Sequence, residues 1–357
     1  QAVFVLSRTI SFAQRLPDPR PQRVKKDPDA EPSSAWKTRK MLSCVFGLEV
    51  HKEVLGAPLP PDAPDTAVED VERKFWEKST LNVLGCTPLP RSLRQFTHLR
   101  DLDVSHHRLR EVPAVLAESS SLERLNLSCN RLQEVSALNA LQSLKHLDLS
   151  HNETLGDKGF EQLDRFPSLR TLNLHNVGLT ELPGFACRCK SLERLSASRN
   201  GLTFVPKNVE NLGRLQYLNL RRNEINEIHK NVGALFELEV LDLSVNALGN
   251  SPHIEMALRN LGNLKSLSLG SNVFFDLPPL PASLEEVDVS RNLCTRLPSR
   301  LDLPLAGRVN LSRNEWEVVP SDFRLPPEIR QVVLEARYFG KFPPSVQRKL
   351  REVAVAP

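Results

Sequence analysis

The sequence predicts an α/β solenoid, in which stacked repeats place short parallel strands along one face. Two observations predict it. A leucine recurs at Leu192, Leu215 and Leu238, and an asparagine follows each of the three after eight residues. This self-similarity at a fixed period of 23 residues is the stronger signal. A single unit cannot bury its apolar edge without a stacked neighbour, so such repeats form extended rods.

The full pattern of each unit is L-x-x-L-x-L-x-x-N-x-L, which resembles the leucine-rich repeat family. The resemblance implies a horseshoe with a parallel sheet on its concave face and helical caps at both ends. Eleven units are predicted over residues 99–343, in steps of 20 to 26 residues. Their first positions are Leu99, Leu122, Leu144, Leu169, Leu192, Leu215, Leu238, Leu264, Leu284, Ala306 and Ile329. A degenerate twelfth copy is expected before them, with Leu81, Leu84, Cys86 and the Leu89-Pro90 pair in register.

Each slot of the repeat has a structural reason. The x-L-x-L-x segment alternates apolar and polar residues, which predicts a short strand with its leucines pointing inward. At the asparagine slot the chain turns, and a buried amide can satisfy backbone groups of adjacent units. Prolines then end the strand pairing in many copies. The asparagine ladder is predicted to comprise Asn130, Asn152, Asn200, Asn223, Asn246, Asn272, Asn292 and Asn314.

The outer segments vary in length, which predicts different paths across the convex side. The two longest units suggest helices at 157–166 and 254–261, whereas the 20-residue step to Leu284 requires a more extended crossing. We therefore expect the curvature to change near residues 264–306. Trp316 and Phe274 occupy the buried slot after the asparagine and are predicted to be core residues.

The ends of the chain are predicted to differ from the repeats. Residues 65–98 are expected to hold a degenerate repeat and a cap helix, which has a capping-box signature at Thr66 and apolar residues at helical spacing from Val68 to Phe75. Residues 344–357 are expected to form a C-terminal cap, with Val346, Leu350 and Val353 on one helical face. Residues 1–64 precede these elements as a basic, proline-rich arm.

The arm carries most of the charge asymmetry. Residues 1–40 have a net charge of +5 and residues 41–75 a net charge of −4. The Arg-rich, Ser-containing and acid-poor start is typical of an organelle transit segment, so we expect a mitochondrial location, or otherwise a cytoplasmic one. An ordinary basic tail is the alternative. Contacts of the arm with neighbouring subunits, and alternatively with RNA, are expected to use Arg8, Arg15, Arg23, Lys25, Lys26 and Trp36.

Composition and motifs argue against several functions. No run of 18 apolar residues is present, so we expect no membrane span. The six cysteines lack the clustered pairs of extracellular repeat caps, which favours a reducing compartment. No phosphate-binding, metalloprotease or nucleophile-elbow motif occurs, so we expect no enzyme activity and no cofactor. His106, Cys129 and His151 form a row that converges too poorly for a metal site.

The concave face is the predicted binding surface, because its side chains do not serve the core. Outward strand positions give two groups rich in arginine and tyrosine, the residue types enriched at protein interfaces. The alternative is a solvated surface with weak Arg–Asp pairing. The predicted partner-binding residues are Arg194, Arg199, Tyr217, Arg221, Arg222, Arg291, Arg308 and Arg313.

These observations predict a non-catalytic scaffold subunit of a large intracellular assembly, of the ribonucleoprotein or respiratory type. One protein would bind the concave face while the arm contacts neighbouring subunits. The similar intracellular repeats with a Leu-Pro pair include adaptors of phosphatases and small GTPases, so a free regulator is the alternative.

Overall fold

A computed structural model of the chain describes residues 80–82, 98–299, 301, 303–352 and 354–356. One parallel sheet of thirteen strands dominates the described residues, and its strands follow one another in chain order. They are β1 (Thr80–Asn82), β2 (Asp101–Asp103), β3 (Arg124–Asn126), β4 (His146–Asp148), β5 (Thr171–Asn173), β6 (Arg194–Ser196), β8 (Tyr217–Asn219), β10 (Val240–Asp242), β11 (Ser266–Ser268), β12 (Glu286–Asp288), β13 (Arg308–Asn310), β14 (Gln331–Val333) and β15 (Ala354–Ala356). A smaller parallel sheet pairs β7 (Phe204–Val205) with β9 (Glu227–Ile228).

The register of the large sheet confirms the predicted repeat. In every pair from β2 to β14 the middle residue of one strand lies opposite the middle residue of the next, as in Leu195↔Leu218 and Leu218↔Leu241. These middle residues are buried, and Leu195 and Leu218 are at most 1% exposed. Eleven strands therefore correspond to the eleven predicted units, and β1 and β15 add one strand at each end. The α/β solenoid prediction is confirmed.

The first strand corrects the register predicted for the degenerate copy. Leu81 lies opposite Leu102 in the β1–β2 pair, so it occupies the middle of a strand. The sequence prediction placed Leu84 there and Leu81 three residues earlier in the pattern, which is wrong. The sequence Thr80-Leu81-Asn82-Val83 matches the Thr-Leu-Asn-Leu of β5, and this local match signals the correct register. The first position of this copy holds Lys78 instead of a leucine, so the leucine pattern alone does not mark where the copy begins.

The asparagine ladder is present as predicted. The side-chain amide of Asn130 donates to the carbonyl oxygens of Val104 and Leu127 at 3.0 and 2.9 Å. Its Oδ1 accepts the backbone N–H groups of His107 and Leu109 at 2.9 and 3.0 Å. Because an unpaired buried backbone group costs about 1–3 kcal/mol, each amide stabilises the contact between two neighbouring units.

The convex side carries short helical segments. The α-helices are α1 (Ala114–Ala117), α2 (Gly184–Arg188), α3 (Pro252–Asn260) and α4 (Pro344–Glu352). Single 3-10 segments span Ser136–Ala140, Lys158–Phe160, Lys207–Asn211, Lys230–Ala234 and Ala336–Lys341. Helix α3 confirms the helix predicted at 254–261, and Ser251 caps it by accepting from the Ile254 N–H. The described residues between β11 and β12 contain no helix, as expected for the 20-residue step. The change in curvature stays a prediction.

The other predicted convex helix, at 157–166, is wrong. This segment forms only the 3-10 turn Lys158–Phe160. Gly156 there has φ +53°, outside the helical region, and Gly159 packs so closely that an added Cβ would lie 2.3 Å from a Leu155 methyl carbon. Glycines also lower helix propensity, so the extra residues of this unit form turns.

The core lies between the sheet and these convex segments. Trp316 and Phe274 are each 1% exposed, which confirms their prediction as core residues. At the C-terminal end, α4 buries Val346 and Leu350 against the core, as predicted for the cap. Strand β15 then extends the sheet beyond this helix, which the sequence did not predict.

Several predictions fall on other parts of the chain. Val353 lies outside the described residues. So do the basic arm and the N-terminal cap helix, with its apolar residues Val68, Val71 and Phe75.

Candidate functional site

A concave hollow of about 700 Å³ crosses strands β4, β5, β6 and β8. We call it the arginine hollow. Its side chains come from the outward strand positions and from the turns that follow the strands. It is lined by His146, Leu147, Asp148, Thr171, Leu172, Asn173, His175, Arg194, Ser196, Ser198, Arg199, Tyr217, Asn219, Arg221 and Arg222. The structure therefore brings together five of the predicted partner-binding residues, namely Arg194, Arg199, Tyr217, Arg221 and Arg222.

Arg194 and Tyr217 are neighbours on adjacent strands. They lie directly opposite each other in the β6–β8 register. The guanidinium carbon of Arg194 is 4.1 Å from the centre of the Tyr217 ring. Such a stacked pair is worth about 0.5–1 kcal/mol at an exposed site, and it holds both side chains in a fixed position. The middle of the hollow therefore presents an oriented guanidinium group beside a half-buried ring.

Arg199 and Arg222 sit in turns, which corrects the prediction that they are strand residues. Their φ angles are +54° and +56°, in the left-handed region. The residue immediately before the ladder slot adopts this conformation in ten units. These residues are His106, Cys129, His151, Asn176, Arg199, Arg222, Val245, Ser271, Arg291 and Arg313.

A left-handed turn is needed at this point because the chain leaves the strand and inserts its next side chain into the core. Residues other than glycine adopt this conformation at a cost of about 1–2 kcal/mol. The same finding places His106, Cys129 and His151 in the turns after their strands and not within the strands. Within the described residues, no three His, Cys, Asp or Glu side chains are grouped so as to hold a metal ion.

The four arginines of the hollow make few contacts with their own chain. Arg221 donates to Ser244 Oγ at 3.0 Å. Among the described residues, no guanidinium group of Arg194, Arg199, Arg221 or Arg222 lies within ion-pair distance of a carboxylate. All four side chains are exposed. They are therefore available to bind a negatively charged ligand.

The concave aspartates have a structural role that the sequence reasoning missed. The Oδ1 atoms of Asp103, Asp148, Asp242 and Asp288 each accept the backbone N–H two residues later, at 2.8–2.9 Å. Asparagines do the same in other units, for example Asn219 with the Arg221 N–H at 3.0 Å. Such side-chain turns start the left-handed bend. The sequence does carry a signal for these turns: in most units the strand ends with Asp or Asn, followed by an apolar residue and then Ser. Within the described ranges, Arg124 and Asp101 at 3.1 Å are the one Arg–Asp ion pair, so general Arg–Asp pairing does not occur there.

Two histidines add to the arginine hollow, and neither was predicted. Nδ1 of His175 lies 2.7 Å from Ser198 Oγ. Burial lowers the pKa of His175, and His151 and Arg199 lower it further, whereas Asp148 opposes them. Burial also lowers the pKa of His146, with Arg124 and Arg170 acting in the same direction. Both imidazoles are therefore neutral near pH 7.

The second predicted group is not brought together in the same way. A hollow of about 720 Å³ contains Arg308 among mixed charges. We call it the mixed hollow, and it is lined by Glu285, Glu286, Leu305, Gly307, Arg308, Glu328, Arg330 and Gln331. Arg291 and Arg313 occupy left-handed turns and do not line it. The Arg313 N–H donates to a Glu335 carboxylate oxygen.

The outer cysteine pair belongs to the core. Cys187 and Cys189 are both fully buried free thiols. Burial raises the pKa of Cys187 to about 11 and also raises that of Cys189. Thiols of this kind are inert at neutral pH, so the pair has a structural role in the core.

Comparison with known families agrees with this architecture. A family model described as "Leucine-rich repeat region" matches residues 132–343, which is more than half of the chain. A second model, "Leucine rich repeat", matches residues 97–153. This protein belongs to the leucine-rich repeat family. No curated protein matches its sequence.

Solved structures share the fold at low sequence identity. A leucine-rich repeat protein of Leptospira interrogans has a TM-score of 0.55 and 22% identity, covering 80% of this chain and 86% of that one. A chain of the TLR13–ssRNA13 complex has a TM-score of 0.61 and 22% identity, covering 73% of this chain and 40% of that one. A chain of the Toll–Spätzle complex of Drosophila has a TM-score of 0.51 and 18% identity, with coverages of 74% and 43%.

These findings indicate a protein-interaction module, the usual role of this repeat fold. None of the helices in the described part of the chain combines the length and the apolar character that crossing a membrane requires.

Proposed function

We propose that this protein is a non-catalytic scaffold that binds a protein partner in the arginine hollow. The observation that carries the proposal is the set of four exposed arginines without an ion-pair partner among the described residues. Arginine and tyrosine are enriched at interfaces because they combine contact area with directed hydrogen bonds. The stacked pair of Arg194 and Tyr217 supplies both in a fixed geometry.

The charge distribution favours a protein over a nucleic acid. The comparison structures include one complex with single-stranded RNA and one with Spätzle. A nucleic acid needs a continuous basic stripe. In this protein, Asp101 and Asp103 lie on one side of the arginine hollow, and Asp242 and Asp288 lie on the other. A protein segment can place negative groups opposite the arginines and none opposite these aspartates, whereas a nucleic acid carries negative charge along its whole length.

The decisive experiment compares two pairs of arginines at the same turn position. Arg199→Glu with Arg222→Glu reverses two positive charges in the arginine hollow, and Arg291→Glu with Arg313→Glu is the matched control. Each full-length variant is used as bait in extracts, and captured proteins are identified by mass spectrometry. We expect the first pair to lose partners that the control pair retains. Equal capture by both variants would remove the site assignment.

The finer proposal is a subunit of a large mitochondrial assembly, with the arm contacting neighbouring subunits. It is supported by the basic, acid-poor composition of residues 1–40. Native sizing of the endogenous protein separates it from a free regulator, because a subunit migrates with its assembly and a free monomer migrates at the mass of its own denatured chain. Fusion of residues 1–40 to a fluorescent reporter tests the location, and diffuse cytosolic signal would count against mitochondria.

A further inference from the structure

We infer that the arginine hollow recognises a phosphorylated serine or threonine side chain of its partner. The inference rests on the proposed function and specifies the ligand. The hollow contains four arginines and one acidic residue, Asp148, which gives an excess of three positive charges when the histidines are neutral. A phosphate ester carries a charge of about −1.5 to −2 and three acceptor oxygens, so it neutralises such a site better than one carboxylate does.

The single acid in the hollow is already occupied. Asp148 Oδ1 accepts the Ser150 N–H at 2.8 Å, and its Oδ2 accepts from the Asn173 side-chain amide at 2.9 Å. Its carboxylate is therefore held on the wall of the hollow by two donors. It does not form an ion pair with any of the four arginines. Among the described residues, no carboxylate therefore competes with an oxyanion for the four guanidinium groups.

The floor of the hollow supplies further donors. Ser196 Oγ and Ser198 Oγ lie 3.3 Å apart, and His175 Nδ1 lies 2.7 Å from Ser198 Oγ. These groups connect β6 to the end of β5 through hydrogen bonds. Small hydroxyls and a neutral imidazole leave space above them while offering protons to a bound oxygen. Such a floor suits a compact anion of several oxygens.

The size of the hollow limits the ligand to a short stretch of charge. Four neighbouring strands span about 14 Å at a strand spacing of ~4.8 Å. Asp242 lies on the next strand, β10, and Glu286 and Asp288 lie on β12. An extended polyanion along the sheet would meet these carboxylates. One phosphorylated side chain with its immediate neighbours would not, which favours a phosphopeptide over RNA.

The test uses libraries of fluorescent 11-residue peptides with random flanks around a central phosphoserine or phosphothreonine. Matched libraries carry the unmodified residue or two glutamates, and a single-stranded RNA 10-mer is the polyanion control. The full-length protein is the receptor in each case. We expect the phosphorylated library to bind roughly tenfold or more tightly than the unmodified one, as charge-assisted bonds to several arginines imply.

Two matched variants locate the binding. Arg199→Gln with Arg222→Gln should lose the preference for phosphate, whereas Arg291→Gln with Arg313→Gln at the same turn position should retain it. Thermal melting monitored by circular dichroism verifies that both variants fold like the parent protein. Loss of preference in the control variant alone would overturn the inference.

The remaining outcomes separate this inference from the proposed function. Equal binding of phosphorylated and unmodified libraries overturns phosphate recognition, and the proposed function stands if the protein partners still depend on Arg199 and Arg222. Preferential binding of the diglutamate library assigns the hollow to acidic peptides and overturns the inference. Tighter, Arg199- and Arg222-dependent binding of RNA overturns both.

Discussion

The arginine hollow and the mixed hollow have nearly equal volumes, about 700 and 720 Å³, on the same parallel sheet. Their charges differ in sign. The first has four arginines and one aspartate, and the second has three glutamates and two arginines. The buried layers beneath them differ as well, because leucines fill the middle positions of β5, β6 and β8, whereas valines fill those of β12, β13 and β14. The repeat provides the concavity, and the outward side chains determine what binds there.

The largest expected effect concerns the buried layer of leucines beneath the arginine hollow. Leu218→Ala should lower the free energy of unfolding by about 2–5 kcal/mol, because Leu218 is 1% exposed and its removal leaves a cavity. Val309→Ala beneath β13 removes less volume and should cost less. Urea unfolding followed by circular dichroism measures both. An equal loss of unfolding free energy in the two variants would show that the two buried layers are equivalent in packing.

A transfer of charge tests whether sign alone distinguishes the two hollows. In a protein that also carries Arg199→Gln and Arg222→Gln, Glu285→Arg with Glu286→Arg should give the mixed hollow roughly tenfold higher affinity for the phosphorylated peptide library, since two more guanidinium groups can bind the anion there. Fluorescence anisotropy measures the gain. The variant with Glu285→Gln and Glu286→Gln is the control for loss of repulsion without new donors. No gain in the arginine variant would mean that the floor of serines and histidine is also required.

The pH dependence of binding should depend on His175. Its pKa is lowered in the free protein by burial, His151 and Arg199, and Asp148 opposes them, so it is neutral at pH 7. A bound phosphate adds negative charge and raises this pKa, so the complex takes up a proton and affinity increases as the pH falls from 7.5 to 6.5. Relative to His175→Gln, the parent protein should gain about threefold over this range. Phosphate titration affects both proteins equally, and parallel profiles would exclude a role for His175.

The smallest expected effect concerns the stacked pair. Tyr217→Ala should weaken phosphopeptide binding by about two- to fivefold, because Arg194 loses a contact worth about 0.5–1 kcal/mol that orients it. Tyr217→Phe keeps the ring and should bind like the parent protein. Calorimetric titration of both variants measures the difference. A measurable loss with Tyr217→Phe would show that the hydroxyl group, which accepts from the Asn219 side-chain amide at 3.3 Å, also supports binding.

The sequence predicts the parts of this molecule that follow the repeat period. The leucine positions fix each strand, and the ladder asparagines, such as Asn130, fix the turns between neighbouring units. Arg194 and Tyr217 were found because outward strand positions alternate with buried ones. Local deviations were harder to predict. The length of the segment at 157–166 suggests a helix, but Gly156 and Gly159 prevent one.

The turn conformation and the histidines were missed for a different reason. Arg222 looks like a strand residue if the alternation is simply continued, but β8 ends at Asn219, whose side chain accepts the Arg221 N–H and starts the turn. Burial lowers the pKa of His175, and so do His151 and Arg199, which lie 24 residues away in each direction. Such contacts across units depend on the stacking register, which a single unit of sequence does not reveal.

The left-handed turn before each ladder slot makes the surface modular. It gives one outward side chain per unit at a regular step, and these ten positions hold His, Cys, Asn, Arg, Val and Ser without any change in the backbone. A substitution there can alter ligand preference while the buried lattice of leucines and amides is preserved. New specificities can therefore be assembled one position at a time along the row.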